Sequence, residues 1–93
     1  MTILNIKHSA LRRFYEKDDS TKVPSKQRSK IRKILAFLDN IDEPKGIDLP
    51  NFGLHQLEGS RKDQWAVKVS RNWRITFRFV EGHVRDVNLI DYH

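Results

Sequence analysis

The stretch Gln64-Trp65-Ala66-Val67-Lys68-Val69-Ser70-Arg71-Asn72-Trp73-Arg74-Ile75-Thr76-Phe77-Arg78-Phe79 alternates apolar and polar residues on both sides of a short polar interruption. Successive side chains of a strand point to opposite faces of a sheet. Trp65, Val67 and Val69 therefore share one face, and Trp73, Ile75, Phe77 and Phe79 share it on the next strand. Ser70-Arg71-Asn72 reads as the turn between them. Glu81-Gly82 marks a second turn, and a last strand runs from about His83 to Tyr92. A further short strand includes Leu54 to Leu57. The spacing predicts an antiparallel meander with one aromatic face that other elements must cover.

The cover lies upstream. Thr2 to Ile6 is a short strand candidate. Leu11, Phe14 and Tyr15 recur at helical spacing and predict a helix from about Ser9 to Lys17. Asp18-Asp19-Ser20-Thr21 reads as a loop. Ser25, just after Pro24, is expected to cap a longer helix reaching about Asn40. Its apolar stripe is Ile31, Ile34, Leu35, Leu38 and Ile41. From Asp42 to Gly53 the chain is loop-like, with Pro44, Gly46, Pro50 and Gly53. The expected architecture is α+β: one domain over 1–93, a small antiparallel sheet with two N-terminal helices packed on its aromatic face.

Composition narrows the function classes. Only 38% of the 93 residues are hydrophobic, and two Trp and five Phe are expected to supply much of the core. There is no cysteine, which removes disulfides, thiolate nucleophiles and cysteine-based zinc sites. No apolar run approaches the roughly 20 residues that span a bilayer, and Met1 to Ile6 is too short for a signal peptide. A cytoplasmic location is expected, with no membrane partner. No metal-ligand spacing and no Gly-rich phosphate loop is present, so neither a metal nor a nucleotide cofactor is expected.

Charge is unevenly placed. The net charge is +6; residues 1–35 carry +7 and residues 36–93 carry −1. Such asymmetry fits a polyanionic partner as well as a solvated, lysine-rich surface. Lys26, Lys30 and Lys33 form a basic stripe on the second helix, expected to lie remote from the polar face of the sheet. That polar face carries Gln64, Ala66 and Lys68 on one strand and Arg74, Thr76 and Arg78 on the next. Arginine forks match phosphate oxygens, and Arg61 and Lys62 add charge on the preceding loop. The alternative is a half-solvated sheet with cross-strand ion pairs.

Of four histidines, His8 and His83 read as plain surface residues. His55 lies in Leu54-His55-Gln56-Leu57, and His93 ends Asp91-Tyr92-His93, a carboxylate, a phenol and an imidazole following the apolar run Val87 to Ile90. Together, Gly59 to Phe77, Glu81-Gly82, the final Asp91-Tyr92-His93, Leu54-His55-Gln56-Leu57 and Leu11-Arg12-Arg13-Phe14-Tyr15 resemble the HigB toxins of the RelE/ParE superfamily. The resemblance spans essentially the whole chain. It implies a type II toxin that cuts messenger RNA in the A site of the 70S ribosome. It also implies a partner, a HigA-like helix-turn-helix antitoxin, through which alone operator DNA would be reached.

The resemblance implies roles as well. His55, Asp91, Tyr92 and His93 match active-site positions of the family, and Arg74 matches a basic position on the central strand. RNA carries its own nucleophile, the 2′-hydroxyl, so cleavage needs a base, an acid and a cation at the phosphate. Histidine serves either proton-transfer role. His93 is expected as acid or base, His55 and Asp91 in the complementary role, Arg74 on the phosphorane charge, and Tyr92 stacking on a base or donating a hydrogen bond. Arg61, Lys62, Lys68, Arg78, Lys26, Lys30 and Lys33 are the candidate RNA and ribosome contacts. The family commonly shows Leu-His-Pro-Leu-Lys-Gly around the first histidine; here Gln56 and Glu58 replace Pro and Lys. An anion about 8 Å from a phosphate costs roughly 2 kcal/mol at an effective dielectric near 20. The competing class is a non-catalytic toxin, a ParE-like gyrase binder or a corepressor, and such relatives lack the terminal Asp-Tyr-His. A plain DNA-binding module finds no helix-turn-helix or zinc-finger pattern.

Overall fold

The computed structural model describes residues 3–57, 59 and 63–91. Two helices precede four strands: α1 is Ser9–Lys17, α2 is Arg28–Leu38, β1 is His55–Gln56, β2 is Gln64–Lys68, β3 is Trp73–Val80 and β4 is His83–Asp91. The strands pair in sequence order, every neighbour antiparallel. This is the expected meander. The hairpin between β3 and β4 turns at Glu81 and Gly82, both with positive φ (53° and 81°), the backbone of a type I′ turn whose twist suits a tight hairpin.

Alternation along β3 sets the layers. Ile75 and Phe77 are buried with Val67 of β2 and Val84, Val87 and Leu89 of β4. Leu11 and Phe14 of α1, and Ile31, Ile34, Leu35 and Leu38 of α2, close over them. The core is more aliphatic than the composition suggested. Trp65, Trp73 and Phe79 are only half-buried at its margin, because wide rings at strand ends overhang the helices that cover the centre. The N-terminal segment does not form a strand of its own length. Ile3 and Ile6 instead make isolated parallel bridges to Val84 and Val87, extending the sheet past β4.

Two local expectations are corrected. Ser25 is the first residue of a short 3₁₀ turn, Ser25–Gln27, and its side chain makes no capping bond to the helix that follows. His8, expected as a plain surface residue, is the N-cap of α1: its Nδ1 accepts a hydrogen bond from the Leu11 amide at 3.2 Å. After α2 the chain folds back tightly enough that a Cβ at Gly46 would stand 2.7 Å from Cγ2 of buried Ile41. This packing anchors the connection that leads to β1.

The cap gives α1 a pH dependence. Burial holds the His8 pKa below its ordinary value of 6.5, and only the neutral ring accepts from the Leu11 amide. The unfolded chain therefore binds more protons on acidification. The cap's contribution is complete above about pH 6.5 and is lost as pH falls below it. Asparagine caps without titrating there. In urea unfolding at pH 7.5 and 5.5, wild type should lose more stability on acidification than His8→Asn.

Candidate active site on the polar sheet face

The face of the sheet turned away from the helices is built from rungs fixed by strand register. His55 pairs with Ala66, Ala66 with Thr76, and Thr76 with Asn88. The next rung holds Lys68, Arg74 and Ile90, and the rung on the other side holds Gln64, Arg78 and Arg85. His55 and Arg74 thus share a face, two strands and two residues apart, roughly 12 Å between backbones at ordinary sheet spacings. Thr76 is buried at the centre of this face (8% exposed) and Ala66 beside it is fully covered. The floor is small and neutral, and the charges stand around it.

His55 is exposed, with Nδ1 3.2 Å from the Gly53 carbonyl oxygen. That contact leaves Nε2 as the outward nitrogen. Arg74 is half-buried and turns toward the β2–β3 connection, donating from Nη1 to the carbonyl oxygens of Ser70, Arg71 and Trp73. The turn thereby fixes where the guanidinium sits. Asp91 is exposed at the end of β4, opposite Trp73 and one rung beyond the pair Arg74–Ile90. Alternation puts it on the other parity from Arg74, at the same end of the sheet. His55 therefore lies at the edge of the middle rung, Arg74 one rung further along the same face, and Asp91 at the strand end beyond it with the opposite parity. Tyr92, His93, Arg61, Lys62 and Glu58 lie outside the described residues.

Arg78, the other arginine of β3 on this face, pairs with two carboxylates. Its Nε and Nη2 donate to Asp63 Oδ2 at 2.8 and 2.6 Å, and Nη1 donates to Asp86 Oδ2 at 3.4 Å. Asp86 has positive φ (53°) and sits at a bulge, where the β3–β4 register shifts between Thr76 and Arg78. Asn5 donates to its carboxylate (2.9 Å) and accepts from its amide (3.1 Å). The Asn5 bond first, then Arg78, holds the Asp86 carboxyl below the usual range. The clamp Asn5–Asp86–Arg78–Asp63 joins four segments beside a depression of about 130 Å³ over Thr76. Sequence reasoning missed it. Only the bulge left a signal: Val84 and Val87, both buried, are three apart, so the strand must slip one residue between them.

The basic stripe is also placed differently from expectation. Lys26, Lys30 and Lys33 line a groove of about 520 Å³ against the loop Pro50-Asn51-Phe52. The Phe52 carbonyl accepts the Lys68 amide hydrogen at the end of β2. The stripe therefore adjoins the Lys68–Arg74 end of the polar face, because this loop bridges helix and strand.

Comparison with known proteins gives concordant matches. The model of the HigB-like family, RelE-like toxins of type II toxin–antitoxin systems, matches residues 4–93. Endoribonuclease HigB of Proteus vulgaris is 34% identical over 91 residues, 98% of this chain and 99% of that protein. Two crystal structures of YafQ from E. coli share the fold. A histidine-to-glutamine mutant of YafQ superposes with a TM-score of 0.57 at 16% identity, and the protein from strain BL21(DE3) with 0.54 at 15%. Each alignment covers 94% of this chain and 91% of the other.

The two arginines should separate in a thermal melt. Arg78→Ala leaves Asp63 and Asp86 facing each other without a cation and should lower the melting temperature by a few degrees. Arg74→Ala, which removes bonds to turn carbonyls that water can replace, should lower it less. Circular dichroism melts of both variants decide this, and an equal loss would deny the clamp.

Proposed function

Because the chain belongs to the HigB family of RelE-like toxins, in which an antitoxin partner is implied, we propose that it is an endoribonuclease acting on messenger RNA in the ribosomal A site. The carrying observation is the full-length match to a protein named Endoribonuclease HigB. Support comes from the shared face of His55 and Arg74. The expected antitoxin is HigA-like, with a helix-turn-helix domain that supplies all contact with operator DNA.

The chemistry is attack of the RNA's 2′-hydroxyl oxygen on the adjacent phosphorus, with departure of the 5′ oxygen. One group removes the 2′ proton and another protonates the leaving oxygen. His93 takes one role, and His55 with Asp91 the other. Arg74, held by the carbonyls of its own turn, presents a fixed cation to the charge that develops on the phosphorane, so little reorganisation is needed as the reaction proceeds. Tyr92 stacks on or hydrogen-bonds a base of the substrate. Lys68 and the loop cations Arg61 and Lys62 hold flanking phosphates, while Arg78 shapes the site through its carboxylates. Glu58, where the family commonly has lysine, weakens the positive field near His55.

Expression without antitoxin should arrest growth, and deletion of His93 alone should relieve it, with cleavage reduced roughly 10²- to 10⁴-fold. Folding of the shortened chain is checked by its melting curve; a folded, fully toxic shortened protein would remove His93 from the reaction. Mapping of a translated message should find 5′-hydroxyl ends opposite 2′,3′-cyclic or 3′-phosphate ends. A 5′-phosphate at the cut means attack by water and excludes this mechanism.

A further inference from the structure

Four lysines and an arginine, from the 3₁₀ turn Ser25–Gln27, α2, β2 and β3, gather where α2 meets the end of the sheet. Lys30 is held in place: its ammonium donates to the Asn51 carbonyl oxygen at 2.7 Å and lies 5.6 Å from the centroid of the Phe52 ring. Burial first, then the positive charges of Lys68, Arg74 and Lys33, hold its pKa below the ordinary value. Those cations therefore share one field. Among the described residues, none of the ion pairs includes Lys26, Lys30, Lys33 or Lys68. No carboxylate among the described residues lines the groove. Folding gains nothing from gathering like charges in this way, which points to an anion that joins them.

A second, independent feature identifies the anion. Phe37 is an exposed large hydrophobic residue (36%), and its ring meets Phe52 of the groove edge-on at 6.0 Å. An exposed ring beside a line of lysines suits a nucleobase attached to a phosphate chain. Lys30 and Lys33 follow one side of α2 about 5–6 Å apart, Lys26 continues the line from the 3₁₀ turn before it, and their point charges hold phosphate without reading sequence.

We propose that the groove between α2 and the Pro50–Phe52 loop binds the phosphate backbone of single-stranded RNA, leading it past Lys30 and Lys33 to Lys68 and Arg74, with a base stacked on Phe37. The proposal deepens the ribonuclease reading and rests on it for the identity of the nucleic acid. It makes the lysines part of one continuous track with the reaction site, rather than a separate docking patch.

The test is fluorescence anisotropy of the whole chain, freed from its antitoxin, with a labelled 2′-O-methyl RNA oligonucleotide that cannot be cut. The logarithm of affinity should fall linearly with the logarithm of salt. Lys30→Gln and Lys33→Gln should each reduce that slope by about 0.7. Phe37→Leu, which keeps an apolar contact with Phe52, should weaken binding roughly tenfold with the slope unchanged. Lys17→Gln, on an exposed part of α1 away from the groove, should do neither. Equal effects from Lys17→Gln and Lys30→Gln would overturn the proposal, as would a poly-glutamate peptide that binds the groove while the oligonucleotide does not. Message cleavage is scored separately. Cleavage with unaltered oligonucleotide binding by the groove variants refutes the groove alone, and groove-dependent binding without cleavage refutes the ribonuclease reading alone.

Discussion

Burial of Ile75 and Phe77 beneath the helices is the constraint from which the rest follows. A strand cannot place neighbouring side chains on one face, so covering these two residues commits Arg74, Thr76 and Arg78 to the other. β3 pairs on both edges, which passes the same commitment to Lys68 and Ala66 on one side and Asn88 and Ile90 on the other. The polar face is therefore a consequence of the core. A one-residue slip of β3 would expose Phe77 and bury three polar side chains, two of them arginines, an exchange far outside the stability of a domain this size.

What the two arginines do on that face depends on their neighbours. Arg74 stands beside a turn and finds carbonyl oxygens, which orient it. Arg78 stands beside Asp63 and the bulged Asp86, which absorb its charge and draw it into the scaffold. Positive potential is thereby concentrated at the end of the sheet that carries Lys68 and Arg74, and this end adjoins the lysines of α2. The asymmetry of charge along the chain becomes an asymmetry in space because the Pro50–Phe52 loop fastens α2 to β2.

Much of this was legible in the chain. Period-two alternation gave the faces of β2 and β3, and helical spacing gave α1 to the residue, since Leu11 and Phe14 are buried. The placement of Arg74 on the polar face came from the parity of its strand. Less legible was anything set by contact across long separations. Asn5 and Asp86 are bonded across 81 positions, and no local pattern announces such a pair. His8 went unread as a cap because histidine is not among the residues that favour that position. Lys30 was placed on the right helix but not beside Arg74, because the path of the Pro50–Phe52 loop is decided by the packing of Ile47 and Phe52 into the core.

The strand that carries His55 is two residues long and lies at the edge of the sheet. Beyond its own ladder it is tethered by the Phe52 carbonyl to the Lys68 amide on one side and by the Leu57 amide to the Gln64 carbonyl on the other. His55 and Gln56 are both exposed, while Phe52 and Leu54 just before them pack into and against the core. His55 thus stands on an edge strand paired on one side only, while Arg74 sits in a strand paired along both edges. The imidazole and the guanidinium therefore differ in support: one rests on a two-residue ladder at the sheet's margin, and the other on a strand bonded to neighbours on both sides.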